Sequence, residues 1–152
     1  MDLLIVQSKE VSDYLRELYI LSFVNTNVNG YVENIQKRYE SSDGQYYCGY
    51  LWDYLKQKQR ISLEKCLSFL SEKKNVYVLW DIHSKDRILI PDYWKYPKES
   101  VVQIFEGVTL EVIKTFPEDV YFFDDSLSWT IAFTHEELKT NKRICYYSGR
   151  LD

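Results

Sequence analysis

Asp119-Val-Tyr-Phe-Phe-Asp-Asp-Ser-Leu-Ser-Trp-Thr-Ile-Ala-Phe-Thr-His-Glu136 is the stretch that decides the architecture of this chain. Val120–Asp124 is rich in β-branched and aromatic residues. Ser128–Thr134 alternates Trp129, Ile131 and Phe133 against Ser128, Thr130, Ala132 and Thr134. A period of two puts each set on one face of a sheet. Asp125-Ser-Leu between them is a turn, so the two strands form a hairpin. Glu137–Lys142 is a polar connection, and Arg143–Tyr147 is the last strand of a meander. Buried Trp129 would tie this sheet to its helices, contributing on the order of 2–3 kcal/mol.

Working back from the meander, Glu99–Thr115 is predicted helical, with Val102, Phe105 and Val108 on one side, and Phe116-Pro117 stops it. Gly107 weakens that helix by about 1 kcal/mol relative to Ala. Pro91–Pro97 is a loop. Val76–Ile82 is the strongest strand signal in the chain, His83–Asp86 a turn and Arg87–Ile90 a returning strand. Before Asn75 the period changes to that of helices. Ser8 caps one that begins near Lys9, with Val11, Tyr14, Leu15, Leu18 and Leu21 or Ser22 on its apolar face. Asn25-Thr-Asn-Val-Asn-Gly30 breaks it. Helices then follow over 31–39, over 45–59 with Tyr47, Tyr50, Leu51, Tyr54 and Leu55 on one face, and from a Ser62 cap through Leu63, Cys66, Leu67 and Leu70. Helices precede a mostly antiparallel sheet, so the chain reads as α+β: N-terminal helices packed on a C-terminal sheet, in one domain spanning 1–152.

The 152 residues are 45% hydrophobic and 28% charged, an ordinary globular composition that excludes disorder. The departure is 16% aromatic residues, with 14 Tyr, 7 Phe and 4 Trp. Tyr14, Tyr47, Tyr50, Tyr54, Tyr77 and Trp129 fall on apolar periods and are expected in the core. Trp52, Tyr93, Trp94, Tyr96 and Tyr147 do not. Apolar runs of about five residues, such as Val76–Trp80, are far short of a membrane span. Met1-Asp-Leu-Leu-Ile-Val-Gln has no basic region ahead of an apolar run, and Cys48, Cys66 and Cys145 are isolated, so the expectation is a cytoplasmic protein.

Net charge is −4, and residues 98–139 carry three lysines against nine acids. Such a field repels phosphates, so no nucleic-acid partner is expected, and it attracts a basic protein. Five glycines and no GxGxxG, GxxxxGK or GxSxG leave no standard nucleotide or cofactor site. Two histidines limit catalysis. His135-Glu136 is not HExxH, because Lys139 follows at the fourth place. A zinc site would need His83, His135 and acids or thiols from separate strands; Asp81 and His83 share a strand face and could ligate, but a turn position for His83 and a strand-end position for His135 account for both histidines, and no metal site is assigned. Cys145 could meet His135 across paired strands, although a cysteine beside Ile144 more simply packs. The paired carboxylates Glu118-Asp119, Asp124-Asp125 and Glu136-Glu137 read as an acidic rim.

The run Trp129-Thr130-Ile-Ala-Phe-Thr134-His135-Glu136, with the strand before it, Phe116-Pro117 and Tyr50-Leu51-Trp52, resembles small bacterial proteins of uncharacterised function. The resemblance covers the C-terminal half most clearly. It implies a cytosolic bacterial protein and carries no catalytic residues. Some of those proteins look like the small acidic proteins encoded beside polymorphic or contact-dependent toxins. The expected function is therefore a non-enzymatic immunity protein that neutralises a toxin by occluding its basic active site. Its partner-binding residues would be Glu118, Asp119, Asp124, Asp125, Glu136, Glu137, Tyr93, Trp94 and Tyr96. The alternatives are a small regulatory or structural module, or a hydrolase-like enzyme using His135 and nearby carboxylates.

Overall fold

Val120–Phe123 (β5), Trp129–Glu137 (β6) and Arg143–Gly149 (β7) form the expected antiparallel meander, and they sit inside a larger sheet. The computed structural model describes residues 4–27, 31, 50–81, 96–97, 99–138 and 142–149. Among these, Leu4–Val6 (β1), Gln59–Ile61 (β2), Val76–Trp80 (β3) and Val102–Ile104 (β4) complete seven strands in the order β1-β4-β3-β5-β6-β7-β2, every pair antiparallel. The class is α+β. Two strands nevertheless come from the first 61 residues, so the sheet is not confined to the C-terminal half.

Alternation along the strands gives the sheet two apolar faces. Val76, Val78, Trp80, Val120, Phe122, Trp129, Ile131, Phe133 and Cys145 pack with Cys66 and Leu70 of α2 (Leu63–Ser71) and Ile113 of α3 (Leu110–Ile113). Leu79, Tyr121, Phe123 and Ala132 on the opposite face pack with Leu15, Tyr19 and Phe23 of α1 (Lys9–Phe23) and with residues 50–55. Ser8, Ser62 and Thr109 cap α1, α2 and α3, each side chain accepting a backbone N–H from the first turn.

The apolar face predicted for α1 is only partly the one it buries: Leu15 is buried and Leu18 half-buried. Tyr14 is 61% exposed and Leu21 65%, and Val11 is exposed as well. The buried side carries Ser12, Leu15, Arg16, Tyr19 and Phe23. Polar groups on that side are held by specific bonds. Ser12 accepts from Val101 N at 2.9 Å, and Tyr19 meets Thr130 Oγ1 at 2.8 Å while Thr130 donates to Phe122 O. A periodicity argument that counts only hydrophobic residues misses such a face.

Two predicted helices do not form over their predicted spans. Of the helix predicted over 45–59 only residues 50–59 are described, and there Leu51–Tyr54 is a single 3₁₀ turn and Gln59 opens the strand Gln59–Ile61 on β7. The backbone N–H groups of Leu51 and Trp52 bond to Asp81 and Tyr121 instead of to an earlier turn, and Leu55 pairs with Val24. Within 99–115, Val102–Ile104 is inserted between β1 and β3, and only Leu110–Ile113 is helical. Gly107 lies against the Ser71 carbonyl so closely that a Cβ would stand 2.5 Å from its oxygen. The helix predicted over 31–39 beyond Tyr31, the turn and strand over 83–90, and Pro91–Lys95 lie outside the described residues.

The aromatic assignment also changes. Trp52 and Tyr147 are buried, and half-buried Tyr96 packs on Trp80 and Phe116 with ring centroids 6.0 and 5.5 Å apart. Tyr50 and Trp129 are buried as expected, while Tyr54 and Tyr77 are half-buried. Tyr47 lies outside the described residues. No described helix is long and apolar enough to cross a membrane.

Candidate functional site

At one end of the sheet, where β3 and β6 end and β5 begins, a connected set of hydrogen bonds ties three chain segments together. Asp119 is 97% buried by the chain around it, being 3% exposed. One of its oxygens, Oδ1, accepts from the Trp52 indole, the His135 backbone N–H and His135 Nδ1, each at 3.0 Å. A carboxylate only accepts, so Nδ1 carries the proton toward Asp119 and Nε2 is the other ring nitrogen. Beside it, Tyr121 donates to Asp81 Oδ2 at 2.5 Å and accepts from Trp52 N at 2.9 Å, and Leu51 N donates to Asp81 Oδ1 at 3.1 Å. Two buried carboxylates thus fix the 3₁₀ turn that presents Trp52.

The Thr134-His135-Glu136 run owes its shape to a break in pairing. Between the pairs Phe133↔Cys145 and Glu137↔Arg143, β6 carries three residues and β7 only Ile144. The excess bulges. Thr134 Oγ1 bridges it, donating to Ile144 O at 3.0 Å and accepting from Glu136 N at 3.2 Å. The bulge turns His135 toward Asp119 and leaves its side chain 38% exposed.

Aromatic rings form the wall. Trp52 stacks between Tyr50 (5.3 Å, 9°) and Tyr146 (5.9 Å, 19°), and the His135 ring is 5.0 Å from Tyr50. Lys58 donates to Trp52 O at 3.0 Å and lies 4.6 Å from the Tyr146 ring centre. Arg143 is likewise spent on carbonyls, those of Thr134 and Glu118. Exposed Asp53, Glu118, Glu136 and Glu137 surround this end. Partial burial raises the Asp53 carboxyl above its ordinary value; Lys58 opposes this, and Glu136 and Asp119 add to it.

The expected acidic rim is therefore two groups, and Asp119 is not on the surface. Glu118, Glu136 and Glu137 lie at this end. Asp124 and Asp125 lie in the β5–β6 turn, separated from Asp119 by about 16 Å of extended chain. Asp124 is committed there: Oδ1 accepts from Ser126 N at 3.0 Å and Oδ2 from the Trp129 indole at 3.0 Å. Asp125 faces Tyr77, whose phenol is pushed up by burial and then by that carboxylate. Tyr96 packs inward, and Tyr93 and Trp94 lie outside the described residues. Trp52, one of the five rings that fall off the apolar periods, belongs to the site together with Asp53, Tyr50 and Tyr146, which the charge and period patterns do not mark. No local spacing links residues 50–58 to Asp119 and His135, because the link is made through the sheet.

Cys145 and His135 do not meet. Cys145 is buried on the α2 face, while His135 lies with Tyr50 and Trp52 on the other. Cys145 instead adjoins Cys66. The hydrogen bond between the thiols drives their acidities apart, raising Cys66 and lowering Cys145. Both are fully buried. His83 and Cys48 lie outside the described residues. Among the described residues, no group of three or more His, Cys, Asp or Glu is placed to hold a metal. No protein family, curated protein or solved structure matches the chain.

Proposed function

We propose that this chain is a non-enzymatic binding protein whose acidic sheet end engages a basic protein partner. We further propose that the partner is a toxin domain, which would make the chain a cytoplasmic immunity protein of the kind its Trp-Thr-x3-Thr-His-Glu run resembles. One observation carries the reading. Asp53, Glu118, Glu136 and Glu137 are exposed around a half-exposed histidine whose setting is locked by buried bonds from Asp119, while the nearby cations Lys58 and Arg143 are engaged with backbone carbonyls. A rigid acidic surface with aromatic backing suits a basic active site, because carboxylates steer encounter and preordered side chains lose little entropy on docking.

The test is a pull-down and kinetic titration with the product of the adjacent gene. Glu118→Lys with Glu136→Lys is expected to slow association about tenfold at low salt, with the difference shrinking at high salt. Asp125→Lys, at the far end of the hairpin, is expected to leave the rate nearly unchanged. Failure to form a complex at both low and physiological salt would overturn the toxin reading. Equal effects at the two ends would overturn the choice of surface.

A second reading follows from the Asp119–His135 pair. A histidine oriented by a buried carboxylate, close to an Asp53 carboxyl raised above its ordinary value, is the setting of a general base beside an acid. A hydrolytic activity abolished by His135→Gln, with partner binding retained, would favour this enzyme reading over the first.

A further inference from the structure

Three of the six large hydrophobic side chains exposed among the described residues lie on α1: Val11 at 42%, Tyr14 at 61% and Leu21 at 65%. With half-buried Leu18 they recur at spacings of three, four and three. At about 100° per residue, these four positions fall in one sector about 80° wide. That sector is nearly opposite the side on which Ser12, Arg16, Tyr19 and Phe23 are buried. Single exposed hydrophobic residues are ordinary, whereas an ordered row of them marks a contact surface. The three-four-three spacing is that of the a and d positions along the seam of a two-helix coiled coil. The hydrophobic period of α1 is therefore divided: Leu15 enters the core, and the seam faces solvent.

Charge borders the seam on one side only. Glu10 and Glu17 stand immediately before Val11 and Leu18, at the g positions of the seam, and both are exposed. Lys9 is committed to Asp13 at 2.7 Å, and neither glutamate has an ion-pair partner among the described residues. On the other border Leu15 is buried and Ser22 half-buried, and neither carries a charge. A second copy of α1 fits this seam poorly. Laid antiparallel, it sets glutamate against glutamate. Laid parallel, it offers Leu15 and Ser22 where a cation is wanted.

We propose that the outward side of α1 is a docking surface for an amphipathic helix of a basic protein partner. The apolar side of that helix packs on Val11, Tyr14, Leu18 and Leu21, and its lysines or arginines meet Glu10 and Glu17. The seam supplies the contact area, with Tyr14 as its aromatic anchor, and the two glutamates select the helix. None of these residues belongs to the acidic sheet end, so the surface stands whether or not the chain binds a toxin there.

The test is an anisotropy titration of the full chain against a fluorescent three-heptad peptide with leucine at every a and d position and lysine at every e and g. A counterpart carries glutamate at e and g. The lysine peptide is expected to bind at least about tenfold more tightly than the glutamate peptide at physiological salt. Glu10→Gln with Glu17→Gln should remove most of that difference. Tyr14→Ser with Leu21→Ser, both on the exposed side, should weaken the lysine peptide about tenfold. Equal binding of the two peptides overturns the proposal, as does binding that the Tyr14 and Leu21 changes leave untouched. Amide resonances of the wild type locate the contact. Shifts centred on residues 10–22 support the proposal, whereas shifts confined to residues 118–119 and 135–137 overturn it and leave the reading of the acidic end standing. Sedimentation of the chain alone tests the remaining occupant. A monomer supports the proposal, and a dimer that Leu21→Ser dissociates assigns the seam to a second copy and overturns it.

Discussion

The Trp52 indole donates to Asp119 Oδ1 over 3.0 Å, across 67 residues of sequence. That bond joins the 3₁₀ turn to the start of β5, and the same oxygen holds both nitrogens of His135 that face it. Asp119→Ala would leave buried donors without an acceptor. It is expected to lower stability by about 3 kcal/mol, whereas Trp52→Phe, which keeps the ring stack and leaves Asp119 two donors, should lower it by about 1 kcal/mol. Urea unfolding measures both. A loss below 0.5 kcal/mol for Asp119→Ala, about the noise of a neutral surface change, would contradict this role.

Gly107 separates two descriptions of residues 99–115. In a helix, Gly107→Ala would stabilise by about 1 kcal/mol. With the Ser71 carbonyl oxygen 2.5 Å from the new Cβ, it should instead destabilise by about 1–3 kcal/mol. Gly149→Ala should behave alike, since Gly149 has φ +136° and its Cβ would lie 2.3 Å from Ser128 O. Equilibrium denaturation gives the sign directly.

The face that α1 buries can be read from paired substitutions. Tyr14→Ala, on the exposed side, should change stability by no more than about 0.5 kcal/mol. Tyr19→Ala removes a fully buried ring and should cost about 3–5 kcal/mol. Tyr19→Phe keeps the ring but loses its bond to Thr130, and should cost about 1 kcal/mol. Comparable losses at 14 and 19 would contradict the orientation of the helix.

Asp53 makes stability depend on pH in a definite direction. Its folded carboxyl holds a proton more tightly than the ordinary value of 3.8 allows, chiefly through partial burial. Between the unfolded and the raised folded value the native state therefore binds more protons than the unfolded one. Stability falls as pH rises through that window. Asp53→Asn is expected to be more stable than the wild type at pH 7, with the gain vanishing below the ordinary value, where both states are protonated. An unchanged difference from acid to neutral pH would refute this.

The two thiols of Cys66 and Cys145 are fully buried on the α2 face, and buried thiols react slowly. A thiol-specific chromogenic reagent is expected to modify them only as fast as the molecule unfolds, so added urea should raise both labelling rates together. Rapid labelling of either in the native state would show that α2 opens independently of the sheet.

Local signals were sufficient where neighbours in sequence are also neighbours in space. The hairpin of β5 and β6 was legible because alternation and a turn are both local. The Ser8 and Ser62 caps were legible because a cap reaches only three residues ahead. The −4 charge and the lack of a standard phosphate loop are properties of composition and spacing alone.

Tertiary contacts decided the rest. Leu51 and Trp52 leave the helix their periodicity favours because Asp81 and Tyr121 capture their N–H groups. Val102–Ile104 becomes a strand because two strands flank it, each completing its hydrogen bonds. Helix α1 turns Tyr14 outward and Arg16 inward because the sheet offers bonds to Ser12, Arg16 and Tyr19 that a hydrophobicity count cannot register. The acidic residues divide between two ends because an extended β5 holds them apart. Propensity and period are differences of at most about 1 kcal/mol per residue, while a buried polar group left without a partner costs more, so the long-range bonds prevail wherever the two disagree.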